Sequence, residues 1–240
     1  MLATALVFCV LAATPQGEEP RSEERTFTHE LYSFQCPDDW LLLSKETIAD
    51  VRAKVKDIAP AFEQVDFGSV DACVVRPVEG EGSFTPNVNF VRTNSRMPVS
   101  DSHVDELRDT MTQQFAEHGV QFREPLAVTV TAAGAVPCYR IDYVATLPTS
   151  DDVLRQRQLM IPIGGTLLTV TCSATEQQFA ENEPKFAAVL SSLRIDPAAM
   201  DSPFWVRMLW MTAVGAVLGG IVGGAVKLLQ RRKAASRGAV

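Results

Sequence analysis

Asp101, Asp105 and Asp109 recur every four residues, so on an α-helix their carboxylates run down one face, with Glu106 beside them. Three hard oxygen donors in a row form a weak candidate site for a divalent metal cation. The plainer reading is that acids near a helix start meet the positive end of its dipole and face water. The three histidines, His29, His103 and His118, stand in no zinc-ligand spacing and beside no nucleophile. The chain holds no Gly-x-Ser-x-Gly elbow, no phosphate-binding glycine loop and no Cys-x-x-Cys. No catalytic residue and no cofactor is therefore assigned. An enzyme here would need Ser, Asp or Glu side chains brought together only by the fold.

The cysteines carry the next piece of chemistry. A leader ending near residue 14 would remove Cys9 and leave Cys36, Cys73, Cys138 and Cys172, which are too dispersed for a metal-binding pair. An oxidising compartment would permit disulfides among them, in any of three complete connectivities. The alternative for Cys172, on the apolar side of a strand-like run, is an inert buried thiol.

Charge is distributed unevenly along the 240 residues, which is more informative than the net −7. All 29 acidic residues lie between Glu18 and Asp201, while six of the 22 basic ones, Arg207, Lys227, Arg231, Arg232, Lys233 and Arg237, follow them. Sixteen basic residues are left against the acids, a net charge of −13 over residues 1–206. Such a surface repels phosphate backbones, so nucleic acid is excluded as a partner and a basic partner is easier to accommodate.

Two apolar segments set the expected location. Residues 1–13 are uncharged and nearly all apolar, too short to span a bilayer, and read as the core of a signal peptide covering residues 1–14. Residues 208–226 form 19 uncharged positions, about 28 Å as a helix, close to the hydrocarbon thickness. Phe204, Trp205 and Trp210 flank the leading end, and Arg207 can snorkel there. The trailing positive cluster places residues 230–240 in the cytoplasm and the domain outside it. Within this transmembrane helix, residues 204–229 with its interfacial flank, Gly215, Gly219 and Gly223 repeat every four positions beside Ala216, Gly220 and Gly224. Small residues in rows let helix backbones approach closely, which suits a homodimer or another membrane helix as partner. A competing topology makes residues 1–13 a buried element and the C-terminal helix a tail anchor, but the basic tail would then have to cross the membrane.

Between these segments lie a charged lead at residues 15–26, a domain at residues 27–195 and a linker at residues 196–203. Residues 27–35 read as one strand ending at Cys36-Pro37, residues 40–43 as a short run, and residues 45–59 as a helix stopped by Pro60. Strands follow at 71–78 and 87–93, around a loop at 79–83. The spacing of Val104, Leu107, Met111 and Phe115 predicts a helix over 101–118, with Gly119 as its stop. Strands are expected at 122–130, 136–147, 153–163 and 166–174, with a turn at Ala133-Gly134 and a tight hairpin at Gly164-Gly165. Ser173 and Glu176 are spaced as a capping box for a last helix, 175–193, which buries Phe179, Phe186, Val189, Leu190 and Leu193. Hairpin-linked strands and interspersed helices imply an α+β fold, an antiparallel sheet covered by helices, without internal repeat.

The order of these parts resembles the superfamily containing the PsbP extrinsic subunit of photosystem II, the Ran-binding protein Mog and the bacterial DcrB lipoproteins. The likeness rests on an opening strand into Cys36-Pro37-Asp38-Asp39-Trp40, a helix before Phe122, the run from Leu168 to Ala174, and the close from Phe179 through residues 186–195. Asp39 stands where the family usually has glycine. The resemblance implies a PsbP-like sandwich and a binding or assembly role, and it transfers no residue roles, because fold does not fix function. The expectation is thus a membrane-anchored extracytoplasmic binding or assembly module. An envelope enzyme, or a structural or signalling protein acting through its helix and basic tail, are the alternatives.

Overall fold

The computed structural model describes residues 25–43, 48, 69–77, 84–117, 119–146 and 152–196. The leader, the lead up to residue 24, nearly all of the helix expected at 45–59, the loop at 79–83, His118, the linker after Asp196 and the glycine-rich segment lie outside them, while Thr26, expected in the lead, opens the first strand. Among the described residues no helix is long and apolar enough to cross a membrane.

Eleven strands, all antiparallel, and two helices make an α+β fold among the described residues. The strands are β1 (Thr26–Thr28), β2 (Tyr32–Gln35), β3 (Leu41–Leu42), β4 (Ser69–Val75), β5 (Asn87–Thr93), β6 (Gln121–Phe122), β7 (Ala127–Ala133), β8 (Val136–Thr146), β9 (Val153–Ile163), β10 (Thr166–Thr175) and β11 (Arg194–Ile195). The helices are α1 (Val104–Glu117), entered through a 3-10 turn at Asp101–His103, and α2 (Glu176–Ser192). The main sheet runs β3-β4-β5-β10-β9-β8-β6, with β7 also on β8, and a small sheet runs β1-β2-β11.

Local chemistry sets most boundaries. Gly164 and Gly165, at φ 56° and 79°, take the two left-handed positions of a tight turn whose twist matches that of β9 and β10. Helix α2 is capped by Thr175, whose hydroxyl accepts from the Gln178 N–H at 3.2 Å and bonds the Gln178 side chain. This corrects the box expected at Ser173 and Glu176. Strand pairing of Ser173 and Thr175 with β9 holds both in the sheet and moves the cap two residues on.

Two expected strands are each divided. Residues 27–35 fold back as the β1–β2 hairpin, with Phe27 opposite Phe34; the His29 imidazole accepts the Leu31 N–H, and the His29 N–H bonds the Tyr32 carbonyl. Residues 122–130 contain the end of β6 and the start of β7, separated around Pro125, and both pair with the same edge of β8.

The main sheet is buried on both faces. On one, α2 and the small sheet cover Val74, Val88, Phe90, Ile161, Leu168, Val170 and Cys172 with Phe34, Trp40, Phe179, Phe186 and Val189. Phe34 stacks on Phe90 at 3.9 Å between centroids, and Phe186 meets Trp40 edge-on at 5.6 Å. On the other, Leu107, Met111 and Phe115 of α1 pack on Tyr139, Ile141, Tyr143, Met160 and Leu167. Ile48 packs on a third small cluster with Leu43, Cys73 and Val75.

All four of these cysteines are buried, and Cys36, Cys138 and Cys172 are free thiols, so none of the connectivities open to the four is made. Burial pushes the Cys36 and Cys138 thiols up to about 11 and Cys172 to about 12. The thiolate is the reactive species, so these sulfurs are inert core groups.

Candidate functional site

The carboxylates read from the sequence do not converge. Asp101 lies in the 3-10 turn, and Asp105, in the first turn of α1, pairs with Arg108 at 2.7 Å. Asp109 points to solvent one turn on. Among the described residues no three His, Cys, Asp or Glu side chains gather in a metal-binding arrangement. His29 is engaged in the β1–β2 turn and His103 closes the 3-10 turn. Gly215, Gly219, Gly220, Gly223 and Gly224 lie outside the described residues.

What the fold does assemble is an arginine cluster on the α2 face of the sheet, at its β8–β9 side. In the β8–β9 register Asp142 faces Arg157 and Val144 faces Arg155, and side chains two apart on a strand share a face, which brings Arg140 alongside. The Asp142 carboxylate accepts from Arg140 Nε at 2.6 Å and from Arg157 Nε at 2.8 Å. Arg157 also reaches Glu183 of α2 at 3.0 Å. Helix α2 sets Phe179 beneath both strand arginines, with the guanidinium carbons of Arg155 and Arg157 at 5.4 Å and 5.6 Å from its ring centroid. Arg123 joins the edge through its backbone, its N–H bonding the carbonyl of Val144, the residue opposite Arg155.

The electrostatics follow from the pairing. Burial pushes the Asp142 carboxyl up, but the hydrogen bonds and charges of Arg140 and Arg157 outweigh it and hold the group below its ordinary value. Arg157 is neutralised by two acids, and its side chain is only 15% exposed. Arg155 differs: it is exposed, oriented by Phe179, and among the described residues has no carboxylate at ion-pair distance. Three arginines, Arg140, Arg155 and Arg157, against Asp142 and Glu183 leave a positive spot on an acidic domain. Planar guanidinium groups fixed over an aromatic ring are suited to grip a carboxylate in two-pronged fashion.

The depressed Asp142 pKa makes a stability prediction. A carboxyl whose folded pKa lies below its unfolded value of about 3.9 contributes fully above that value and loses its contribution as pH falls through the folded pKa. Asp142→Asn is therefore expected to cost about 2 kcal/mol at pH 7. The gap to the native chain should narrow as the pH falls below about 4. Urea unfolding at several pH values measures it, and a gap that stays constant on acidification contradicts the pairing.

Arg140, Asp142, Arg155 and Arg157 are not among the residues singled out from the sequence. Their signal is Arg-x-Asp in one strand and Arg-x-Arg in the next, charges at period two on a face that is apolar elsewhere.

No protein-family profile matches the chain, and no curated protein matches it. Solved structures similar to it include a cyanobacterial PsbP from Synechocystis, at 13% identity over 76% of this chain and 100% of that one, with a TM-score of 0.47. PA94 of Pseudomonas aeruginosa, described as a protein of unknown function, is 15% identical over 54% of this chain and 85% of its own, with a TM-score of 0.42. LpqN of Mycobacterium tuberculosis, described as involved in cell envelope biogenesis, is 12% identical over 69% and 83%, also at 0.42. The PsbP type named from the sequence pattern is thus among the structures to which this chain is similar.

Proposed function

We propose that this chain is a recognition module displayed outside the cytoplasm, anchored by the helix at residues 204–229, and that it engages another protein through the arginine cluster over Phe179. The observation that carries the reading is Arg155, an exposed guanidinium held over an aromatic ring on the α2 face of an otherwise acidic domain. Arginine and aromatic side chains are the groups most enriched where protein interfaces concentrate their binding energy. The partner implied presents a carboxylate to Arg155 within a surface that is otherwise basic, which complements the acidic domain around it. The anchor is supported by the uncharged stretch at 208–226 and the positive residues after it.

Protease added to intact cells or spheroplasts tests the display. The expected result is digestion of the domain with survival of a small fragment carrying the basic tail. Loss of that tail from an otherwise intact chain refutes the orientation, and a full-length chain recovered free in solution refutes the anchor.

A further inference from the structure

Strand β7 stands at the edge of the main sheet, apart from the arginine cluster, and its residues suit it to one kind of partner. All seven pair with β8 in an unbroken register, from Ala127 opposite Asp142 to Ala133 opposite Val136, and among the described residues β7 pairs with no other strand. The edge carries none of the usual guards against further pairing. Its sequence, Ala-Val-Thr-Val-Thr-Ala-Ala, holds no charge and no proline, and its register holds no bulge. Ala127, Thr129, Thr131 and Ala132 are exposed.

The turn fixes which backbone groups face outward. Gly134, at φ 60°, and Ala135 close a two-residue hairpin, so Ala133 and Val136 exchange hydrogen bonds and the alternation of an antiparallel pair runs from there. Thr131, Thr129 and Ala127 then bond β8, while the N–H and C=O groups of Val128, Val130 and Ala132 point away from it. The side chains divide by the same alternation. Val128 and Val130 pack with the α1 cluster, whereas Thr129 and Thr131, opposite Arg140 and Cys138, stand on the α2 face.

From this geometry we infer that β7 pairs antiparallel with β7 of a second copy of the chain, about a two-fold axis through Val130. The strand reads nearly the same in both directions around that residue: Thr129 and Thr131 flank it, then Val128 and Ala132, then Ala127 and Ala133. Val130 therefore meets its own copy and Val128 meets Ala132, each pair exchanging N–H and C=O groups that point away from β8. Thr129 meets Thr131 at a closely spaced, non-hydrogen-bonded position, where paired threonines are favourable. Like charge is the obstacle to self-association of an acidic domain, and residues 125–139 contain no charged side chain. The pairing ends where each copy's hairpin turns, so β6, which lies beyond β7 along β8, does not obstruct it. An axis of this kind runs perpendicular to the sheet, so both copies turn the α2 face to the same side.

Cross-linking of the full-length chain in micelles tests the pairing, using Thr129→Cys and a short bismaleimide. The two introduced thiols, diagonal neighbours on one face, stand about 7–8 Å apart in the proposed register. Cys36, Cys138 and Cys172 are buried and give little background. The expected result is an adduct of twice the chain's mass. It is absent from Thr112→Cys, which is exposed on α1, and lost when Val130→Pro is added to Thr129→Cys and removes the central N–H. That proline spares the β7–β8 bonds, since the Val130 N–H points away from β8. No adduct from Thr129→Cys overturns the proposal, as does an equal yield from Thr112→Cys or an adduct that persists in the folded proline variant. Should the proline variant fail to fold, the two cysteine positions decide by themselves: an adduct from position 129 and none from position 112 supports the pairing, and any other pattern overturns it.

Discussion

Replacing Phe186 by alanine is expected to cost about 3–5 kcal/mol. Phe186 has no exposed surface, meets Trp40 edge-on at 5.6 Å and Phe179 at 5.2 Å, and belongs to the cluster joining α2, the small sheet and the main sheet. Truncation removes the transfer energy of the ring and leaves a cavity that Trp40 cannot fill, because Trp40 is fixed by its own packing after Pro37. The effect extends to the arginine cluster, since Phe179 sits two turns earlier on the same helix. Urea unfolding of the full-length chain measures it. A loss below about 1 kcal/mol would mean that α2 does not close this face.

Charge reversal at Arg155 is expected to have the largest functional effect. Arg155→Glu places a carboxylate where the partner's own carboxylate must dock, and removes the contact with Phe179. Central arginine contacts of this kind cost about 2 kcal/mol or more when lost, close to thirtyfold in affinity. Stability should barely change, because Arg155 is exposed and no carboxylate among the described residues pairs with it. Arg108→Glu is the matched control: Arg108 lies on α1, paired locally with Asp105, away from the cluster. Its reversal should leave capture unchanged.

Much of the fold was legible in the residues, and the exceptions have physical causes. Strand β9 is bounded as its pattern predicts, and β10 nearly so, because Gly164-Gly165 supplies both left-handed positions that a two-residue turn between them requires. The stripe Leu107, Met111 and Phe115 named the buried face of α1 at its helical period. The turn dividing residues 27–35 has neither glycine nor proline; it is held by the His29 imidazole, a bond that exists only once the chain has folded back. The capping position was ambiguous because Ser173 with Glu176 and Thr175 with Gln178 offer the same spacing, and pairing with β9 chose between them. Pro184 inside α2 left no mark on the reading of that helix, which runs through it.

The site was less legible for a reason of a different kind. Asp142 and Arg157 lie on separate strands and become neighbours only through the β8–β9 register, and Phe179 reaches them only when α2 is laid across the sheet. By contrast Asp101, Asp105 and Asp109 were conspicuous because their spacing reads as one helix, although Asp101 lies in the 3-10 turn before α1, and spacing alone brings no ligand to them.

The proposed recognition role is tested most directly by a photo-activated cross-linking residue placed at Ala180, exposed and next to Phe179 on α2, in the full-length chain in living cells. The account predicts a discrete adduct with another protein, lost when Arg155 is also replaced by glutamate and never formed when the cross-linker stands at position 108. No adduct at position 180, or the same adduct from both positions, contradicts it.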